Sequence, residues 1–130
     1  MNVCPASSWQ TRVKTATRHL CGALFIAAGA NHFITPDFYV SIMPPYLPLH
    51  LPLVYLSGAA ELALGGLLMW RRYSNNAAWG LVALLIAVFP ANVHMALHAE
   101  LYPQFSPMAL WLRLPLQAAL VAWAYWYTRD

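Results

Sequence analysis

Glu61 and Arg113 each interrupt a long apolar run, and charges so isolated are the first residues to question. A carboxylate and a guanidinium form a strong charge-assisted pair, and together they can hold a ligand that carries oxygen atoms. Asn31, His32, Asn92, His94 and Gln117 share similarly apolar surroundings. An Arg and an imidazole can donate to a quinone carbonyl, and a carboxylate or imidazole can relay a proton to it. Gln117 follows Arg113 by four positions, so both lie on one helical face. His94 and His98 have the same spacing, which two metal ligands can share, with His32 and His50 as further imidazoles. No third ligand stands at a fixed distance from that pair, so no metal is expected. The chain has no Gly-rich phosphate loop, no GxSxG and no HExxH, so neither a nucleotide nor a catalytic residue set is expected.

Composition determines what can position these groups. Of the 130 residues 61% are hydrophobic and 8% charged, against about 25% charged in an ordinary soluble domain. Seven Lys and Arg with four Asp and Glu cannot cover a soluble surface of this size. An aromatic content of 14% excludes disorder, and a net charge of +3 is too small for a nucleic-acid stripe. A membrane protein is the class that remains. A spanning helix takes about 20 apolar residues, so one all-α domain of about four spans fills the chain.

Four apolar stretches answer that description, at about 20–34, 53–70, 77–97 and 108–127. They follow a segment, 1–19, that carries Arg12, Lys14, Arg18 and His19. A cationic start before an apolar run also describes a signal peptide, but no polar cleavage region follows, and a retained helix is expected. The segment 35–52 holds five prolines, Pro36, Pro44, Pro45, Pro48 and Pro52, which exclude a regular helix through it. Its Phe38, Tyr39, Met43, Tyr46 and Leu47 suit an ordered cap at the membrane interface. Residues 73–76 read as a polar turn, and 99–107 as a Pro-marked connection.

Charge placement tests the division independently, because short cytoplasmic loops collect Lys and Arg. Six of the seven cations (Arg12, Lys14, Arg18, Arg71, Arg72 and Arg129) fall on one side if there are four spans with both termini inside. Three or five spans break the pattern. Cys4 and Cys21 would then both lie near the cytoplasm, where a disulfide is not expected. Trp111, Trp123, Tyr125, Trp126 and Tyr127, with Trp70 and Trp79, read as membrane belts rather than as a quinone box. The N-terminal cations read as topological signals, with a lipid site as a lesser alternative.

Under this topology Glu61 lies roughly 12 Å and Arg113 roughly 8 Å below the outer face, at 1.5 Å per residue, and a pair across the bundle is expected. Asn31, His32, Asn92, His94 and Gln117 fall at the same level, and Pro90 should free a backbone carbonyl beside Asn92. These groups read as one polar pocket in the outer half, roofed by 35–52. The alternative is structural glue between helices, which Ser57, Gly58, Glu61 and Gly65 on one stripe would suit. Clustering at a single depth favours the pocket.

Gly29-Ala-Asn-His-Phe33, Ile42-Met-Pro-Pro-Tyr-Leu-Pro48, Ser57-Gly-Ala-Ala-Glu61, Pro90-Ala-Asn-Val-His94 and Arg113-Leu-Pro-Leu-Gln117 together resemble the DoxX-like family of small bacterial membrane proteins. The resemblance covers about 22–127 and implies a four-helix membrane bundle with inside termini. Some members look like small subunits of a thiosulfate:quinone oxidoreductase, and others are linked to membrane oxidoreductase complexes and oxidative-stress defence. The present chain has no CxxC pair and no evident cofactor ligand set, which shifts the expectation from independent catalysis to a quinone site or a docking role.

The resulting expectation is a multi-pass protein of the bacterial inner membrane that binds a quinone or similar lipophilic molecule. Glu61 and Arg113 form its core, and Asn31, His32, Asn92, His94 and Gln117 its walls. A non-catalytic subunit of an oxidoreductase is the alternative. Partners are the lipid bilayer, an oxidoreductase subunit or further copies of the chain, and not nucleic acid. Solute transport is weaker, because one four-helix protomer has little room for alternating access and the sequence has no internal repeat.

Overall fold

A computed structural model describes residues 8–129, so Cys4 lies outside the described residues. All regular structure in them is helical: α1 (Ser8–Ile34), α2 (Pro36–Ile42), α3 (His50–Leu68), α4 (Ser74–Leu97) and α5 (Pro107–Tyr127), with a 3₁₀ turn at Ala99–Leu101.

Helix boundaries differ from the apolar stretches for local reasons. α1 starts at Ser8 instead of near position 20, because residues 8–19 contain no Gly or Pro and hydropathy marks burial, not helicity. It ends where Pro36 disfavours helix at the preceding residue, and both the amide and hydroxyl of Thr35 donate to the Asn31 carbonyl. The segment 35–52 is not loop throughout. Pro36 opens α2, and α3 begins at His50 because Pro52 falls in a first turn, where its missing N–H costs nothing. Leu49, with φ 55°, takes the left-handed conformation and turns the chain into α3. The polar residues 74–76 belong to α4, which runs on through Pro90. Ser106 caps α5, its hydroxyl accepting from the Ala109 amide at 3.2 Å.

α1 packs chiefly on α3, and α4 on α5, with a smaller α3–α4 contact joining the two pairs. Glycines set the first contact. A Cβ on Gly29 would lie 2.7 Å from the Gly58 carbonyl oxygen, and one on Gly22 would lie 2.6 Å from that of Gly65. The antiparallel backbones therefore touch at two levels seven residues apart, the close approach that small residues permit.

At one end of the bundle Cys21, Phe25, Leu68, Leu81, Ala124 and Tyr127 form the main core. Arg18, placed by sequence in a polar flank, is buried there, and its Nη1 donates to the Leu68 carbonyl at 3.2 Å. Asn75 Nδ2 donates to the Thr128 carbonyl at the same end, tying α4 to α5. At the other end Met95, Ala96, Tyr102 and Leu110 form a second cluster, with Ile42 and Phe105 against it. Among the described residues two helices, α3 and α4, are long and apolar enough to cross a membrane. α1 and α5 carry Arg12, Lys14, Arg18 and Arg113.

Candidate functional site

The last turn of α1 presents Asn31 and His32, and α2 folds back so that Tyr39 covers them. The His32 and Tyr39 rings stack with centroids 3.9 Å apart and planes 14° from parallel. Asn31 Nδ2 donates to the Tyr39 hydroxyl at 2.8 Å. His32 Nδ1 lies 2.8 Å from the Ala28 carbonyl oxygen and 3.4 Å from Glu61 Oε2. Two glycines make this meeting possible. A Cβ on Gly58 would lie 2.6 Å from the His32 Cβ, and one on Gly29 would lie 3.0 Å from the Glu61 Cβ.

The expected Glu61–Arg113 pair is therefore replaced by Glu61 with His32, and no ion pair joins Glu61 to Arg113 among the described residues. The glycine contacts hold Glu61 in the α1–α3 seam. Arg113 faces the other helix pair, its Nη1 4.0 Å from Met95 Sδ and its guanidinium 5.9 Å from the centre of the Phe105 ring. Because α3 starts at His50, Glu61 also sits about 16 Å along its helix, deeper than expected.

Asn92 and Gln117 meet as a separate unit. Asn92 Nδ2 donates to Gln117 Oε1, and Gln117 Nε2 donates to the Leu85 carbonyl. Both ends of this buried amide are thereby used in tying α4 to α5. Beside Gln117 runs an apolar groove of about 260 Å³, lined by Leu85, Ile86, Phe89, Gln117, Ala118 and Val121.

His94 belongs to a third group. Its ring meets Tyr46 edge-on at 5.1 Å, Tyr102 at 6.3 Å and His98 at 4.5 Å. Tyr102 is 2% exposed, and burial, reinforced by the nearby Tyr46, pushes its phenol above the usual tyrosine range. His98 leans instead towards exposed Glu100, at 3.6 Å, and His50 Nε2 lies 3.2 Å from the Pro44 carbonyl oxygen. Among the described residues no three His, Cys, Asp or Glu side chains converge on a metal position.

The seven residues singled out by sequence thus fall into His32, Asn31 and Glu61; Asn92 and Gln117; and His94 and Arg113 apart. Tyr39, Tyr46 and Tyr102 complete the arrangement. Nothing in their spacing marks them, although the first two lie in the aromatic, Pro-rich segment. Among the described residues three buried polar atoms lack a hydrogen bond: His94 Nε2, Tyr102 Oη and Glu61 Oε2, the last with only the His32 ring nitrogen beside it at 3.4 Å. Buried polar groups are nearly always paired, so these three atoms stand out in the outer half of the bundle. His94 and Tyr102, with ring centres 6.3 Å apart, offer an imidazole and a phenolic donor side by side, while the Glu61 carboxyl oxygen lies in the α1–α3 seam beside His32.

Residues 21–128 match the family model described as a domain of unknown function, DUF8561. No curated protein and no solved structure matches the chain significantly. Because that match covers 108 of the 130 residues, from position 21 to 128, the chain belongs to the DUF8561 family.

Proposed function

We propose that this DUF8561 protein is a four-span, multi-pass protein of the bacterial inner membrane, with both termini cytoplasmic, that binds a quinone or a similar lipophilic molecule at the outer end of its helices. Two apolar helices of spanning length support membrane insertion, with α1 and α5 completing the bundle. Large outward-facing side chains such as Leu56, Ile86 and Leu116, each well over half exposed, suit contact with lipid. Six cations grouped at the end that holds Arg18 and Leu68 suit a cytoplasmic face. The DoxX-like resemblance supports the same reading.

The observation that carries the ligand assignment is the set of unpartnered atoms at Glu61, His94 and Tyr102. A quinone carbonyl would accept from the Tyr102 phenol or an imidazole N–H, and Glu61 beside His32 would exchange a proton. The apolar groove along α4 and α5 suits the ligand's hydrocarbon part. Asn92 and Gln117 satisfy each other and act as structural glue, and this favours, as a second reading, a non-catalytic subunit of an oxidoreductase.

Native mass spectrometry of gently extracted protein, with lipid extraction of the same sample, tests the proposal. A bound quinone that is lost in Glu61→Gln and Tyr102→Phe is the expected result. A ligand-free protein carrying a stoichiometric partner chain would replace it with the subunit reading.

A further inference from the structure

His94, His98, Glu100 and Tyr102 sit on one short piece of chain, and the fold sets them in a row from the interior outwards. His94 and His98 are four apart at the end of α4, where the His98 amide still donates to the His94 carbonyl at 3.0 Å, so both rings leave one face. The 3₁₀ turn then tightens the chain, the Leu101 amide donating to the His98 carbonyl and the Tyr102 amide to the Ala99 carbonyl, both at 3.0 Å. That turn carries Tyr102 inwards and leaves Glu100 outside.

Exposure rises step by step along the row. Tyr102 is 2% exposed, the His98 side chain 48% and that of Glu100 71%, while the His94 ring is half-buried with its Nε2 shielded. Neighbouring members face each other. The Tyr102 and His94 ring centres are 6.3 Å apart, those of His94 and His98 4.5 Å, and His98 Nδ1 lies 3.6 Å from Glu100 Oε1. The two inner atoms, Tyr102 Oη and His94 Nε2, have no hydrogen bond, a gap that one oxygen atom of a water or of the bound ligand closes. Two imidazolium charges so close repel, so the pair holds one proton that either ring can carry. From the other elements, Tyr46 meets the His94 ring edge-on, and Arg113 of α5 lies against Met95.

We propose that His94, His98 and Glu100 form a proton path between the outer-end ligand site and the solution on the outer side. A proton passes from Tyr102 Oη or the ligand oxygen to His94 Nε2, and leaves through His98 to Glu100. Each imidazole takes a proton on one nitrogen and gives one up from the other, and Tyr102 gives one and takes one. No member therefore ends with a changed charge, and the row runs equally in reverse. His98 and Glu100 act through His94 and touch no ligand. The inference rests on the proposed ligand site, whose Tyr102 and His94 are the inner end of the path, and on the four-span reading for its side.

The test uses the full chain in nanodiscs, with tyrosine isotope-labelled at Cζ, in equal parts of light and heavy water. A slowly exchanging hydroxyl gives two Cζ resonances, one for each isotope on the oxygen, and a fast one gives a single line. Tyr102, identified by its loss in Tyr102→Phe, should give a single line in the wild type despite its burial. His98→Gln should split that line, since exchange loses a positioned acid–base group worth at least about a hundredfold. Glu100→Gln should broaden it, and His50→Gln, at the same end with its Nε2 on the Pro44 carbonyl, should leave it unchanged. A variant that merely loosened the fold would speed exchange, the opposite sign. Two lines in the wild type, a single line in His98→Gln or an unchanged line in Glu100→Gln overturns the path, whatever quinone the protein retains in mass spectrometry. A split line in His98→Gln from a protein that retains no quinone supports the path and overturns the ligand reading alone.

Discussion

Tyr39 lies flat on His32, and its hydroxyl accepts from Asn31, so one side chain of α2 holds both polar residues at the end of α1. Tyr39→Phe keeps the stacked ring and removes one hydrogen bond, with an expected cost of about 0.5 to 1.5 kcal/mol. Tyr39→Leu also removes the ring pair, a further loss of about 0.5 to 1.5 kcal/mol. Thermal unfolding in detergent should rank wild type above Phe and Phe above Leu. Equal melting of all three would mean that α2 does not order the end of α1.

Gly58 makes room for His32. Gly58→Ala should force the α1–α3 seam apart and destabilise by about 1 to 3 kcal/mol, the usual range for overpacking. Gly66, one residue after the packed Gly65, has open space where its Cβ would be. Gly66→Ala should be neutral or gain up to about 1 kcal/mol from helix propensity. Melting temperatures of the two variants should move in opposite directions or differ clearly.

Gln117 spends its whole amide on Asn92 and the Leu85 carbonyl. Gln117→Leu should cost about 0.6 to 2 kcal/mol, the range for polar contacts between membrane helices. A double-mutant cycle with Asn92→Leu should return a coupling energy of the same sign.

The raised phenol of Tyr102 has a direction in pH. Burial keeps it protonated when the phenols of the unfolded chain begin to ionise near pH 10, so the folded state binds more protons above that value. Its contribution to stability is complete below about pH 10 and is lost as pH rises from there through the folded value. The wild-type melting temperature should fall more steeply above pH 10 than that of Tyr102→Phe. Identical slopes would show that the phenol is hydrated.

The helices other than α2 overlap apolar runs, and Pro stands at or near the start of α3 and α5, so their existence was readable. The start of α1 was not, since Ser8–Thr17 is helical without being apolar. At the site, Glu61 and Arg113 stood out by the cost of burying charge, but their partners depended on which helices touch. Gly58 and Gly65 on the stripe of Glu61 held that information, and reading them against Gly22 and Gly29 would have placed Glu61 beside α1. Tyr102 lies in an irregular segment, where no periodicity reports that a side chain turns inward.

Gly22 with Gly65 and Gly29 with Gly58 lock α1 and α3 at two points along their length, which removes both sliding and rotation of one about the other. The helices thus behave as a single strut, and α4 with α5, bound through Gln117, as a second. If the proposed ligand seats between Glu61 on one strut and His94 on the other, residues 69–73, the short link from α3 to α4, are where the chain would bend to admit it.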